Sequence, residues 1–93
     1  MEIKHSVEGS KGVFFINIDG KHVAEMTYSQ AGPDKIIIDH TEVDVSLKGQ
    51  GVGYQLVKEA VGFARKNKIK ILPLCPFAVT VFKKREEYKD VLF

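Results

Sequence analysis

Three features predict an α/β (α+β) fold, a mostly antiparallel twisted sheet of about five strands with two flanking helices. The first 45 positions read as β-rich runs separated by turn chemistry. At Val52 the hydrophobic period lengthens from two residues to about four, the signature of an amphipathic helix. A short apolar run then leads through Pro76, a residue suited to a first helical turn, into a second helical stretch. With 93 residues, the chain is expected to form a single domain over positions 1–93, near the small end of what one hydrophobic core supports.

Ile3 to Val7 reads as the first strand. Gly9-Ser10-Lys11-Gly12 turns the chain, and Val13 to Ile18 is a dense β-branched and aromatic run, hence a strand. Asp19-Gly20 is a pair that two-residue hairpin turns prefer. The return strand covers about His22 to Ser29, with Ala24, Met26 and Tyr28 sharing a face. Ala31-Gly32-Pro33-Asp34 closes it, and Ile36 to Val45 forms a fourth strand. Alternation along that strand places His40, Glu42 and Asp44 on one face, with Asp39 and Thr41 on the other. From Val52 to about Asn67, Val52, Leu56, Ala60 and Ala64 recur every four residues, beside Val57, Val61 and Phe63. Gln55, Lys58, Glu59, Arg65 and Lys66 take the outer face of this helix, and Gly62 weakens it by about 1 kcal/mol relative to alanine. Ile69 to Leu72 is a short strand stopping near Pro73, and Phe77 to Arg85 is the second helix. Tyr88 to Phe93 is an apolar tail, read as a last strand or a docking segment.

Composition narrows the function classes. Apolar residues at 44% and charged residues at 28% are ordinary for a soluble globular protein and exclude disorder. No apolar run is long enough to cross a bilayer, and Met-Glu-Ile-Lys-His is not an apolar leader. A single cysteine cannot form an internal disulfide, so a cytoplasmic location is expected. Net charge is +2 but uneven: residues 1–47 hold four basic against eight acidic side chains, and residues 62–93 hold eight against three. The basic half follows the glycines of positions 49–53, although most of its lysines read as solvated helix surface. Lys83-Lys84-Arg85 reads the same way, with no nucleic-acid motif beside it. His5 and His22 stand apart from other ligand-type residues, so no metal site is expected.

Leu47-Lys48-Gly49-Gln50-Gly51-Val52-Gly53-Tyr54 joins the fourth strand to the helix. A glycine-rich turn there exposes backbone N–H groups at the positive end of the helix dipole, which attracts phosphate or another oxyanion. Known phosphate loops fit poorly. A nucleoside-triphosphate loop needs a lysine after its last glycine, and here Gly53 is followed by Tyr54. A dinucleotide fingerprint needs another glycine spacing, an early position in the chain, and an acid near position 73, none of which is present.

The stretch resembles the coenzyme A motif of the Gcn5-related N-acetyltransferase superfamily, Arg/Gln-x-x-Gly-x-Gly/Ala. Lys48-Gly49-Gln50-Gly51-Val52-Gly53 matches it, with Lys where Arg or Gln is usual. Val43-Asp44-Val45-Ser46-Leu47-Lys48 fits the family's Val-x-Pro-x-x-Arg lead-in, with Val for Pro, and Cys75-Pro76-Phe77-Ala78 sits where Asn-x-x-Ala is frequent. The likeness covers about residues 13–85 and is greatest to small single-domain members with a Cys-Pro-Phe/Tyr stretch. It implies a reduced acyl-CoA N-acyltransferase fold using acetyl-CoA as cosubstrate, with an amine acceptor the sequence does not identify. Lys48 and Gly49 would lie at the cofactor, and backbone amides of Gln50, Gly51, Val52, Gly53 and Tyr54 would cradle the pyrophosphate. The main chain of Val43 and Val45 would pair with the pantetheine arm, and nearby basic residues would suit the 3′-phosphate.

The resemblance also implies a base on the fourth strand, for which Glu42 and His40 are the candidates. A tyrosine that in much of the family protonates the departing thiolate is replaced by Phe82. Cys75, at a strand-to-helix junction that favours a thiolate, could supply the proton or accept the acetyl group itself. The helices that in the full family build the acceptor site are reduced here to the short turn at Gly9 to Lys11, leaving that side open. An N-acetyltransferase is therefore the first reading. A coenzyme A or acyl-CoA binding module with little transferase activity is the alternative, and a nucleic-acid-binding module a weaker third.

Overall fold

The structure, a computed structural model, describes residues 2–93. Its strands are β1 (Lys4–Glu8), β2 (Lys11–Ile18), β3 (Lys21–Gln30) and β4 (Lys35–Val43). A 3-10 turn (Val45–Leu47) leads to helix α1 (Val52–Asn67), then β5 (Lys70–Pro73), α2 (Pro76–Lys84) and a second 3-10 turn (Glu86–Val91). The five strands lie in sequence order, antiparallel from β1 to β4, and β5 joins β4 in parallel. α1 is the crossover that a parallel pair requires.

Local chemistry sets most of these boundaries. Asp19 and Gly20 both have positive φ, 52° and 76°, so the hairpin turn carries the twist that its strands need. α1 begins after Gly51 at φ 69° and ends at Lys68, also left-handed, whose N–H returns to the carbonyls of Ala64 and Arg65. Pro76 opens α2 where a missing N–H costs nothing. The core lies between one sheet face (Phe14, Ile16, Met26, Tyr28, Ile36, Ile38) and the buried stripes of α1 (Leu56, Val57, Ala60, Val61, Ala64) and α2 (Ala78, Val81, Phe82). No polar residue is buried among those described. The opposite sheet face, with Thr27, Ser29, Asp39, His40 and Glu42, is uncovered.

Three expectations are corrected. β4 ends at Val43 rather than Val45. The Asp44 carboxylate accepts the Ser46 N–H at 2.9 Å, and that local bond starts a turn where the strand would have continued. The pairing of β3 and β4 shifts between Thr27 and Tyr28: Tyr28 opposes Ile38, but Thr27 opposes His40. Asp39 is the extra residue of this bulge. Its carboxylate accepts from the hydroxyls of Thr27 (2.6 Å) and Ser29 (3.0 Å), which holds it on the open face beside His40. Beyond the bulge the alternation from Ile36 and Ile38 is inverted, so Thr41 and Val43 rather than His40 and Glu42 turn to the helix side, and Asp39 shares the open face with His40 rather than a face with Thr41. Of the two readings of the tail, the strand gives way to the docking segment: it is a 3-10 turn with one parallel bridge, Leu92 to Ile71. Arg65 clamps it through both oxygens of Asp90, each at 2.9 Å.

Candidate functional site

The site begins where the sheet comes apart. β4 pairs with β5 only as far as Ile38 and Pro73. There the Ile38 carbonyl accepts N–H groups from both Leu74 (2.9 Å) and Cys75 (3.2 Å), and the chain turns away into α2. From Asp39 to Val43, β4 has no neighbour on that side, which leaves main-chain groups free to take up an extended ligand. The resulting wedge is a cleft of about 600 Å³ lined by Thr41 and Val43 of β4, Leu47 to Gly49, Gly51, the first turn of α1, and Phe77.

At the wide end of the wedge lies the N-terminus of α1. The bond from Gln55 N–H to the Gly51 carbonyl (3.1 Å) opens the helix, so Val52, Gly53 and Tyr54 keep N–H groups with no intrahelical acceptor. No side chain caps them, and no acid lies in the first turn to compete with a bound anion. Gly49 and Gly51 are glycines because of their positive φ, 82° and 69°. Gly53 is glycine for space, since a Cβ there would lie 2.6 Å from Phe77 Cζ. Phe77 meets Tyr54 edge-on, with centroids 5.5 Å apart, and the two rings form the lip. Lys48 adds a cation to the lining.

Two of the residues expected at the coenzyme, Gln50 and Val45, are not among those lining the cleft. Gln50 does not line the cleft, and its N–H already bonds the Leu47 carbonyl at 3.3 Å, whereas Gly51 to Tyr54 all line it. Val45 lies outside the strand, 74% exposed, and its carbonyl accepts the Lys48 N–H at 3.2 Å. Val43 alone of that pair lines the wedge.

At the narrow end Cys75 forms the N-cap of α2, only 6% exposed. Its Sγ lies 3.4 Å from Thr41 Oγ1, and it is Thr41, not Cys75, that faces the cleft. Burial alone would raise the thiol pKa. The Thr41 hydroxyl and backbone groups of Ala78, Phe77 and Thr41 outweigh burial and leave it below its ordinary value. The α2 N–H groups act by their field here, because none closes a cap hydrogen bond to the sulfur.

His40 and Glu42 are not brought to Cys75; they stand exposed on the other face of β4, across the splayed edge. Glu42 is directly opposite Glu25, and both line a cavity of about 270 Å³ with His22 and Asp44. Phe82 is buried, edge-on to Tyr88 at 6.1 Å, so no hydroxyl occupies its place. His5 is structural: it stacks on Phe14 at 4.2 Å and bonds the Tyr28 hydroxyl at 2.7 Å. Sequence reasoning missed Thr41, Leu47 and Phe77. The bulge hides Thr41, whereas a glycine at 53 outside any positive-φ turn was a readable sign that something bulky closes over it. Among the described residues no metal-type cluster gathers, and no helix is long and apolar enough to cross a membrane.

The profile of a family described as GCN5-related N-acetyl-transferase matches residues 13–91. A Staphylococcus aureus protein described as a GCN5-like N-acetyltransferase is 38% identical and superposes with a TM-score of 0.76, over 99% of this chain and 87% of its own. Tetrahymena GCN5 superposes at TM-score 0.68 with 20% identity, over 83% of this chain and 51% of its own. A Clostridium acetobutylicum acetyltransferase solved with acetyl-CoA does so at 0.65 with 16% identity, over 82% and 56%. At those identities the last two likenesses are of fold, and this chain spans about half of each. No curated protein matches the sequence.

Proposed function

The chain belongs to the GCN5-related N-acetyltransferase family, and from that premise we propose that it moves an acetyl group from acetyl-CoA to a primary amine. One observation carries the reading: the free edge of β4 leads directly into an uncapped helix N-terminus. A pantetheine arm needs an unpaired strand, and a pyrophosphate needs converging N–H groups at a helix start. The cleft offers both in line, at roughly the volume of a cofactor site.

With the pyrophosphate on Gly51 to Tyr54, the arm runs along Val43 and Thr41 and carries the thioester toward the narrow end. The amine approaches from the open face, where His40 is nearer than Glu42 to the point at which the strands part. The amine nitrogen attacks the thioester carbon, its proton passes to His40, with Glu42 as the second acceptor, and the carbon–sulfur bond breaks. The departing thiolate takes a proton from the Thr41 hydroxyl, which the Cys75 thiol restores. The lowered pKa of Cys75 makes it a readier donor than an ordinary thiol. Since Cys75 is buried behind Thr41, direct transfer is favoured over an acetyl-cysteine intermediate.

The test is release of free thiol from acetyl-CoA across a panel of primary amines, with intact mass spectrometry in parallel. Turnover without an acetylated Cys75 is expected. A stable acetyl adduct on Cys75 would move the mechanism to the covalent route, and tight binding with no turnover on any amine would make the protein a coenzyme A module.

A further inference from the structure

The two outer edges of the sheet are finished differently. At the β5 edge the tail closes the strand: Leu92 bridges Ile71, and the Phe93 N–H donates to the Ile71 carbonyl at 2.8 Å. The free stretch of β4 faces the cleft. β1, by contrast, pairs with β2 on one side and with no described strand on the other. All five of its residues, Lys4 to Glu8, are exposed, and it has no proline or bulge of the kind that blunts an edge. Its two faces are distinct. His5 stacks on Phe14 and lies edge-on to Phe63, so His5 and Val7 stand on the helix side, where Val7 is 59% exposed. Lys4, Ser6 and Glu8 stand on the open side, and neither Lys4 nor Glu8 is in an ion pair among the described residues.

We propose that this edge binds a second copy of the chain, β1 pairing antiparallel with β1 about a two-fold axis at Ser6. The order of side chains along the strand selects that partner. Antiparallel pairing centred on Ser6 is the one register that overlaps all five residues, and it sets Lys4 against the partner's Glu8 and Glu8 against the partner's Lys4. Both ion pairs fall on the open side. On the helix side Val7 meets the partner's His5, an aromatic and β-branched pair of the kind that stabilises neighbouring strands. The competing arrangements fail. In-register parallel pairing sets lysine beside lysine and glutamate beside glutamate, and a slip of one residue puts the helix side of one copy against the open side of the other. The contact is isologous and closes as a dimer. It joins two five-stranded sheets into one and leaves both coenzyme clefts free at the far ends. A five-residue strand pair is small for a permanent interface, so the dimer is weak and depends on concentration.

Sedimentation equilibrium at low salt over a concentration series reaching millimolar, on the wild type, Lys4→Glu, Glu8→Lys and an equimolar mixture of the two variants, tests this. Each variant alone places like charges at both cross-strand positions and should weaken the dimer on the order of tenfold. In the mixture both pairs are again of opposite sign, so dimerisation should return to at least the wild-type level. Added salt should weaken the wild-type dimer. Hydrogen exchange on the wild type gives a readout that no folding defect of a variant can disturb: β1 amides should exchange more slowly as concentration rises. A wild type that stays monomeric throughout the series overturns the inference. So does a dimer indifferent to both variants, a mixture no better than its components, or β1 exchange that ignores concentration.

Discussion

The two faces of the splayed strand are built in opposite ways. On the helix side glycines fix the turn, Phe77 closes over Gly53, and no side chain caps the N–H groups at the start of α1. On the open side nothing covers the sheet, and the polar groups are ranked along it, with Glu25 facing Glu42 at direct cross-strand distance. Like charges placed so are destabilising, a cost that a structural surface has no need to bear. Under the proposed function, the difference teaches that coenzyme recognition would be carried by backbone shape, whereas acceptor chemistry would rest on a few exposed side chains. Substitutions on the two sides should therefore fail differently.

The largest expected effect is on the helix side. Gly53→Val drives a side chain into Phe77 and fills the cradle, so acetyl-CoA affinity should fall on the order of a hundredfold by calorimetry, with the far-ultraviolet spectrum retained. On the open side, His40→Ala should lower kcat by about 10²- to 10⁴-fold and leave coenzyme affinity unchanged. If affinity falls with it, the two sides are not separable and the comparison breaks. Glu42→Gln relieves the repulsion with Glu25 and should stabilise the fold by about 0.2–1 kcal/mol in urea titration, while activity does not rise. The smallest effect is one of pH. The folded Cys75 thiol titrates below its ordinary value of 9.0, so its thiolate contributes stability that is complete above that value and lost as pH falls through the lower, folded one. The stability difference between wild type and Cys75→Ala should accordingly grow as pH rises toward 9.0.

How far the sequence was legible follows the same division. α1, expected from Val52 to about Asn67, spans Val52–Asn67, because a glycine turn opens it and its apolar stripe is unbroken. The glycine turn was legible as the junction of strand and helix, and it lines the cleft. β4 was misread twice, for physical reasons that periodicity does not carry. Asp44 caps a local turn with its own carboxylate, and Asp39 is pulled into a bulge by hydroxyls on a strand ten and twelve residues away. Each is a side-chain hydrogen bond overriding strand alternation, and together they moved Val45 off the edge and turned Thr41 into the cleft.

The most direct measurement is a titration of ¹⁵N-labelled protein with acetyl-CoA, followed by amide chemical shift. Saturable shifts are expected at Thr41, Val43, Val52, Gly53 and Tyr54, with Thr27 and Ser29 on the open face unmoved. Shifts concentrated on the open face with the glycine turn silent, or no shifts at millimolar coenzyme, would contradict the coenzyme reading.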